Sequence, residues 1–175
     1  MNDLTTWASI AEIFGGLAIL AGGLFALVQL SEFRRRRRAQ VAAELCRSFS
    51  SPELARAITL VRSLPDGIHL DQLREMDREY EVSAQVIGMS FETMGLLVHE
   101  DIAAFHTVQD LTGGLLLMIW RKIGVWVEDT RIEHDNPRFG EWVQWLAERV
   151  AEQEAGKVPA YVAHADWRAR PRRGG

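Results

Sequence analysis

Apolar residues recur at helical spacing along most of this chain, and the predicted elements follow from that pattern. The clearest periodicity runs from Leu70 to Val98, where apolar side chains repeat every three or four residues. Further helices are predicted from Leu111 to about Ile132 and from Pro137 to about Val150. No stretch alternates convincingly between apolar and polar residues, as a half-buried strand would. The pattern therefore predicts an all-α fold, with a bundle of about four to five helices.

Local signals predict where these helices begin and end. The Ser-Pro-Glu sequence at 51–53 predicts a helix start, because it offers a capping hydroxyl and a proline in the first turn. The Pro-Asp-Gly sequence at 65–67 predicts a turn. Asn136 is expected to cap the last helix. Gly88 and Gly95 lie two turns apart in the long helix, and they predict a close helix crossing.

The beginning of the chain has a different pattern, which predicts a membrane anchor. Residues 10–30 contain Glu12 as their only formal charge, and as a helix they would extend about 30 Å, the thickness of a bilayer core. A basic run follows directly, and it consists of Arg34, Arg35, Arg36, Arg37 and Arg38. Because basic residues beside a spanning helix favour the cytoplasmic side, we predict a single-pass protein of the inner membrane with its N-terminus outside. The weaker alternatives are a buried core helix and a cleaved secretory signal.

The composition supports one folded domain between the anchor and a tail. We predict an N-terminal segment with a single transmembrane helix over 1–33, a cytoplasmic helical domain over 34–155 that continues the anchor helix, and a flexible basic tail over 156–175. The chain is 47% hydrophobic and 25% charged, as expected for a folded protein. Its single cysteine, Cys46, excludes an intramolecular disulfide. The net charge of -4 does not suggest nucleic-acid binding.

Two features of the predicted anchor suggest partners. Small residues recur on one helix face, at Ala11, Gly15, Ala18, Gly22 and Ala26. Such a stripe lets two helix backbones approach, so it predicts a homo-oligomer or pairing with another membrane protein, although glycine and alanine are common in any spanning helix. The five arginines are predicted to contact the anionic lipid headgroups of the inner leaflet.

No group of residues in the sequence has the spacing of a catalytic or cofactor site. Phosphate-binding glycine loops and a nucleophile elbow are both missing. We therefore expect no catalytic residues and no cofactor. The best metal candidate contains His99, Glu100, Asp101, His106 and Asp110, but these polar residues are more typical of a solvated helix start.

Glu92 is the candidate buried acid, because it lies between apolar residues of the long helix. A buried carboxylate needs a partner or a raised pKa, and Arg121 is the predicted partner. A structural ion pair is favoured over an acid or base role. The tryptophans at 120, 126, 142 and 145 are predicted to belong to the core, with a ligand pocket as the alternative.

Several stretches resemble a family of bacterial, membrane-anchored helical proteins of unknown function. The resemblance rests on Trp7 with the Ile-Ala-Glu-Ile stretch at 10–13, on Ser-Pro-Glu-Leu at 51–54 and on His-Glu-Asp-Ile at 99–102. It also includes Phe91–Gly95 and the closing helix, and it extends over residues 7–150. The resemblance implies a bacterial source and the same architecture, but no activity or catalytic residues.

These observations favour a non-catalytic interaction or scaffold module, anchored in the membrane and associating with itself or with another membrane protein. The alternative is a ligand-responsive or enzymatic helical domain. Its site would lie near Glu92 and the tryptophans, between the helices predicted over 70–98 and 111–132.

Overall fold

The computed structural model describes residues 22–30, 32, 33, 40, 47 and 51–168. This part of the chain contains helices and connecting turns but no strand, which confirms the all-α prediction. Residues 51–168 form six helices in succession, which are α1 (Pro52–Ser63), α2 (Leu70–Glu75), α3 (Arg78–His99), α4 (Phe105–Glu133), α5 (Glu141–Glu154) and α6 (Ala160–Ala163).

The predicted single-pass location in the inner membrane is contradicted. Among the described residues, no helix combines the length and the apolar character that crossing a bilayer requires. Residues 22–30, the described part of the predicted anchor, are helical. Residues 10–21 of the predicted anchor lie outside the described part, as do Arg34–Arg38 and most of the segment that would join the anchor to α1.

The four long helices form the bundle. Helix α3 packs mainly against α1 and α5, while α4 also packs against α5 and α1. Helices α3 and α4 therefore lie diagonally across a common core, and the short α2 packs on both. The predicted inward faces are confirmed, since the largest fully buried side chains include Phe91 of α3 together with Leu116, Ile119, Ile123 and Trp126 of α4.

The start of α1 and the turn after it agree with the sequence signals. Ser51 Oγ accepts a hydrogen bond from the Leu54 N–H at 3.1 Å, and proline occupies the first turn. Gly67 adopts a left-handed conformation with φ +67°. Its N–H donates to the carbonyl oxygen of Arg121 at 2.9 Å, so the turn is fixed to α4.

The long helix predicted over 70–98 is two helices, because the chain breaks at Met76 and Asp77. The Asp77 carboxylate accepts a hydrogen bond from the Glu79 N–H at 2.9 Å and starts α3. The apolar spacing continues through the break, since Leu73 before it and Tyr80 after it both pack on the core. Because α2 and α3 share one inward face, their apolar periodicity predicted a single helix.

The last long helix begins four residues later than predicted. Residues 137–140 form a turn, and α5 starts at Glu141 after Gly140, which has φ +67°. Asn136 does not cap α5, because its side-chain oxygen accepts a hydrogen bond from the Arg138 N–H instead. The Arg131 guanidinium holds this turn against α4 by donating to the Phe139 carbonyl oxygen at 2.7 Å.

The predicted tail contains ordered structure near its start. Helix α6 lies within it and buries none of its residues. Lys157 pairs with Glu154 at 3.1 Å and with Asp110 at 3.4 Å. Residues 169–175 lie outside the described part.

Candidate functional site

Glu92 joins α3 to the start of α5. Its Oε2 accepts hydrogen bonds from the backbone N–H groups of Trp142 at 3.0 Å and Val143 at 2.8 Å. The N-cap residue Gly140 has no side chain, so α5 lacks a cap of its own. The carboxylate therefore supplies the missing acceptor, and its negative charge lies at the positive end of the helix dipole.

The predicted Glu92–Arg121 pair does not form. Arg121 Nε lies 3.0 Å from Asp66 Oδ2, where the guanidinium holds the turn that precedes α2. Lys122 Nζ lies 2.7 Å from the other carboxylate oxygen, and this hydrogen bond is the largest influence that lowers the pKa of Asp66. Glu92 is half-buried, and its partners are backbone N–H groups that no sequence pattern distinguishes.

One helical turn after Glu92, Gly95 forms the close crossing that the sequence predicted. A Cβ atom at Gly95 would overlap the carbonyl oxygen of Trp142 and lie 2.8 Å from its carbonyl carbon. The same peptide region of α5 thus contacts α3 at two points, the carboxylate of Glu92 and the bare backbone of Gly95. The prediction is wrong for Gly88, since a Cβ atom there would meet nothing within 4 Å.

A cavity occupies the space beside Gly88. It has a volume of about 370 Å³ and lies between α3, α4 and the turn that precedes α5. Its walls are mostly apolar, and its main lining residues are Gly88, Met89, Glu92, Trp126, Phe139 and Val143. This is the region that the alternative prediction identified, near Glu92 and a tryptophan, but the cavity is apolar where an acid–base site would be polar.

A smaller cavity adjoins the first. It has a volume of about 210 Å³, and it shares Gln85, Trp126 and Phe139 with its larger neighbour. The Trp126 ring contributes to the walls of both cavities, and the Phe139 ring meets it edge to face at 5.5 Å. The two spaces are therefore separated by a shared layer of three side chains.

Trp126 also carries a buried and unpaired polar atom. Its side chain is 2% exposed, yet the indole Nε1–H has no hydrogen-bond partner among the described residues. Leaving a buried donor unpaired costs about 1–3 kcal/mol, so such atoms are rare in folded proteins. The other predicted tryptophans differ, because Trp120, Trp142 and Trp145 are only half-buried.

The charged groups around the larger cavity already have partners. Glu92 binds the start of α5, and Arg138 donates to Glu141 Oε1 at 2.8 and 3.0 Å. That hydrogen bond is the main cause of the raised pKa of Arg138. The cavity consequently presents no unbalanced charge.

Two further carboxylates tie α2 to α4, by binding Leu70 and Arg74, which line the smaller cavity. Asp129 Oδ2 accepts hydrogen bonds from the Leu70 N–H at 3.1 Å and from His69 at 2.9 Å, and the bond from Leu70 is the main influence that lowers the pKa of Asp129. Arg74 pairs with both oxygens of Glu133 at 2.6 Å, which lowers the pKa of Glu133.

The candidate metal ligands do not come together. Among the described residues, no group of three His, Cys, Asp or Glu side chains is placed to hold a metal ion. His99 packs against the rings of Trp142 and Trp145, at centroid distances of 4.6 and 5.7 Å. Asp110 pairs with Lys157 instead.

Helix α3 also has an apolar outer face that the sequence analysis missed. We define this outer stripe as the exposed residues Val82, Val86, Met89, Thr93 and Leu96. Met89 is 67% exposed, and it also lines the larger cavity. The signal was present, since the stripe repeats in steps of four and three residues, but the stronger inward periodicity of the same helix obscured it.

Most of the predicted association and lipid-contact residues lie outside the described part. Gly22 and Ala26 are helical and exposed, and a Cβ atom at Gly22 would meet nothing within 4 Å. Ala11, Gly15 and Ala18 fall among the residues that are not described, as do Arg34, Arg35, Arg36, Arg37 and Arg38. The small-residue stripe and the lipid contacts thus stay predictions.

Comparison with known proteins identifies the family. No curated protein and no solved structure matches the chain. A family model described as a domain of unknown function (DUF4760) matches residues 16–150, which is more than half of the chain. The chain therefore belongs to the DUF4760 family.

Proposed function

We propose that this domain is a non-catalytic interaction module that self-associates through the outer stripe of α3. The inward face of α3 is buried, with Ile87, Phe91 and Met94 in the core, and the outer stripe lies on the opposite side of the helix. A helix that is apolar on both faces is normally covered on both. This exposed second face is the observation that carries the proposal.

A second copy of α3 fits the stripe because the stripe is nearly symmetric about its centre. Met89 lies at the middle, with Val82 seven residues before it and Leu96 seven residues after it. Two antiparallel copies related by a two-fold axis at Met89 place Val82 of each helix opposite Leu96 of the other. Such a two-fold contact uses the same patch on both copies and is the commonest arrangement in homo-oligomers.

The charges at the ends of α3 favour the same pairing. Arg78 and Glu79 lie at the start of the helix, and His99 and Glu100 lie at its end. The antiparallel alignment brings Arg78 of each copy near Glu100 of the other. Opposite charges then meet at both ends, which fixes the register of the pair. The opposed helix dipoles favour this orientation as well.

The small size of the stripe predicts a weak dimer. From Val82 to Leu96 it extends about 21 Å at 1.5 Å per residue. A contact of one helix with another buries far less surface than the roughly 1,200–2,000 Å² of a stable standard interface. We therefore expect a dissociation constant in the micromolar to millimolar range.

Sedimentation equilibrium of the full chain, at concentrations from about 10 µM to 1 mM around the expected constant, tests this proposal. Met89→Glu introduces a charge at the centre of the pair and should abolish the concentration-dependent rise in mass. Ile132→Glu is the matched control, because Ile132 is 81% exposed on α4 and lies outside the stripe. It should associate like the unmodified chain.

A charge exchange tests the register. Arg78→Glu should weaken association, and the double variant Arg78→Glu with Glu100→Arg should restore it, since each copy then carries the reversed pair. A chain that is monomeric throughout the concentration range contradicts the proposal. Association that survives Met89→Glu also contradicts it, because another surface must then be responsible.

A further inference from the structure

We propose that residues 158–173 bind the surface of an anionic lipid membrane, with exposed apolar side chains in the headgroup region and arginines on the lipid phosphates. We call these residues the aromatic–basic segment. Such a contact lies in the interface and needs no spanning helix. This inference goes beyond self-association through α3 and does not depend on it.

The first part of the segment carries apolar side chains that the bundle leaves uncovered. Tyr161 is 81% exposed and Trp167 is 70% exposed, while Val158 and Val162 are about half exposed. Helix α6, which contains two of these residues, buries none of its side chains. A group of exposed apolar residues on a folded chain indicates an interaction surface. Tyrosine and tryptophan are also enriched where a bilayer meets water.

The last part of the segment is basic. Four of the six residues at 168–173 are arginine, and Asp166 is the only acid in the segment. The structure describes Arg168, which donates to the carbonyl oxygen of Trp167 at 3.1 Å and to no carboxylate of the described residues. Lys157 just before the segment differs, because two carboxylates pair with it. The segment therefore places an excess of positive charge beside uncovered aromatic rings, in a chain whose net charge is -4.

The combination of the two parts favours a lipid surface as the partner. Each arginine near an anionic headgroup strengthens binding about fivefold, and each apolar side chain that leaves water adds to this. Stable surface anchoring generally takes two signals, such as an apolar anchor with a basic patch. A single-stranded nucleic acid would use the arginines and the aromatic rings, but it offers no apolar interior to Val158 and Val162. An anionic bilayer accommodates all three kinds of side chain.

Quenching of Trp167 fluorescence by brominated lipid tests the proposal on the full chain. The chain is titrated with phosphatidylcholine vesicles that carry bromine in their acyl chains, prepared with or without about one-third phosphatidylglycerol as the anionic lipid. Subtracting the same titration of Trp167→Phe isolates the signal of Trp167 from those of the other five tryptophans. Because bromine quenches only at close range, lipid binding by another part of the chain does not by itself produce this signal.

Anionic vesicles should quench Trp167 strongly, and neutral vesicles should need a far higher lipid concentration. Four arginines at about fivefold each predict a difference of at least about a hundredfold between the two half-maximal lipid concentrations. Raising the salt concentration from about 0.1 M to about 1 M should weaken quenching by the anionic vesicles, because the Debye length falls from about 10 Å to about 3 Å.

Two pairs of variants separate the charge from the apolar contact. Arg172→Gln should raise the half-maximal concentration of anionic lipid about fivefold, whereas Arg62→Gln, at an exposed position on α1, should not change it. Replacing all four arginines of the segment with glutamine should abolish the quenching. Tyr161→Ser should raise the half-maximal concentration about tenfold, whereas Ile132→Ser removes an equally exposed apolar side chain from α4 and should have no effect.

Three outcomes would overturn the inference. The first is that anionic vesicles leave Trp167 unquenched. The second is equal quenching by neutral and anionic vesicles, which removes the arginines from the contact. The third is that polyuridylate changes the Trp167 signal at a lower phosphate concentration than anionic lipid does, which makes a nucleic acid the partner. None of these measurements reports on pairing of α3, so a failure here is distinct from a failure of the proposed self-association.

Discussion

Gly88 and Gly95 lie two turns apart on the same helix, and their surroundings are opposite. At Gly95 the backbone of α5 approaches so closely that no side chain fits, whereas at Gly88 the neighbouring elements stay apart and leave a cavity. Helix α5 approaches α3 at Trp142, but the turn before α5 diverges from it. Gly95 therefore permits close packing, whereas Gly88 borders an empty volume. The presence of a glycine in a helix does not by itself distinguish these two roles.

Gly95→Ala should have the largest effect on stability. The added methyl group overlaps the Trp142 carbonyl oxygen, so α5 must move and the hydrogen bonds to Glu92 must lengthen. Overpacking of a filled site typically costs 1–3 kcal/mol, and a clash with backbone falls at or above the upper end, about 3 kcal/mol. Urea denaturation followed by circular dichroism measures the loss.

Gly88→Ala is the matched substitution that can break the comparison. The methyl group enters open space and the helix gains the higher propensity of alanine, so stability should rise by up to about 1 kcal/mol. If both variants lose stability equally, the two glycines are equivalent and the described difference between the closed and open regions is incorrect.

Glu92→Ala should destabilise the domain by about 2 kcal/mol, because two backbone N–H groups at the start of α5 lose a charged acceptor. Glu92→Gln keeps an acceptor oxygen without the charge and should lose about half as much. Thermal unfolding of the two variants gives the difference. Glu128→Ala, at an exposed position on α4, is the control and should change stability by less than about 0.5 kcal/mol. Equal losses for the Ala and Gln variants would show that the cap needs the charge itself.

The smallest expected effect is a pH dependence at the start of α2. The Leu70 N–H and Arg74 lower the pKa values of Asp129 and Glu133 in the folded state, so both groups bind fewer protons there than in the unfolded chain. Their contribution is complete above the ordinary values of 3.8 and 4.5 and is lost as the pH falls through the lowered folded values. Asp129→Asn should flatten the decrease in melting temperature measured from pH 5 to pH 3. An unchanged slope would show that Asp129 does not hold α2.

The sequence predicted the inward faces, the start of α1 and the turn at 65–67 because these depend on local spacing and capping. The break at Met76 was missed, since apolar periodicity continues through it, although Asp77 offered a capping signal. The partner of Glu92 was not predictable, because a backbone N–H is present in every residue and only the packing of α5 brings two of them to this carboxylate. The cavity was not predictable either, because the sequence does not distinguish the surroundings of Gly88 from those of Gly95.

The caps described above also determine the order in which these helices become stable. Helix α5 has no capping side chain of its own, and the Leu70 N–H of α2 donates to Asp129, which lies 59 residues later in the chain. Helix α2 has one local capping bond, from the His69 N–H to Gln72 Oε1 at 3.0 Å, but the first turns of both helices also donate to a carboxylate of another helix. A peptide of residues 137–155 alone should therefore show little helix in water, and both segments should complete their folding only after α3 and α4 have met.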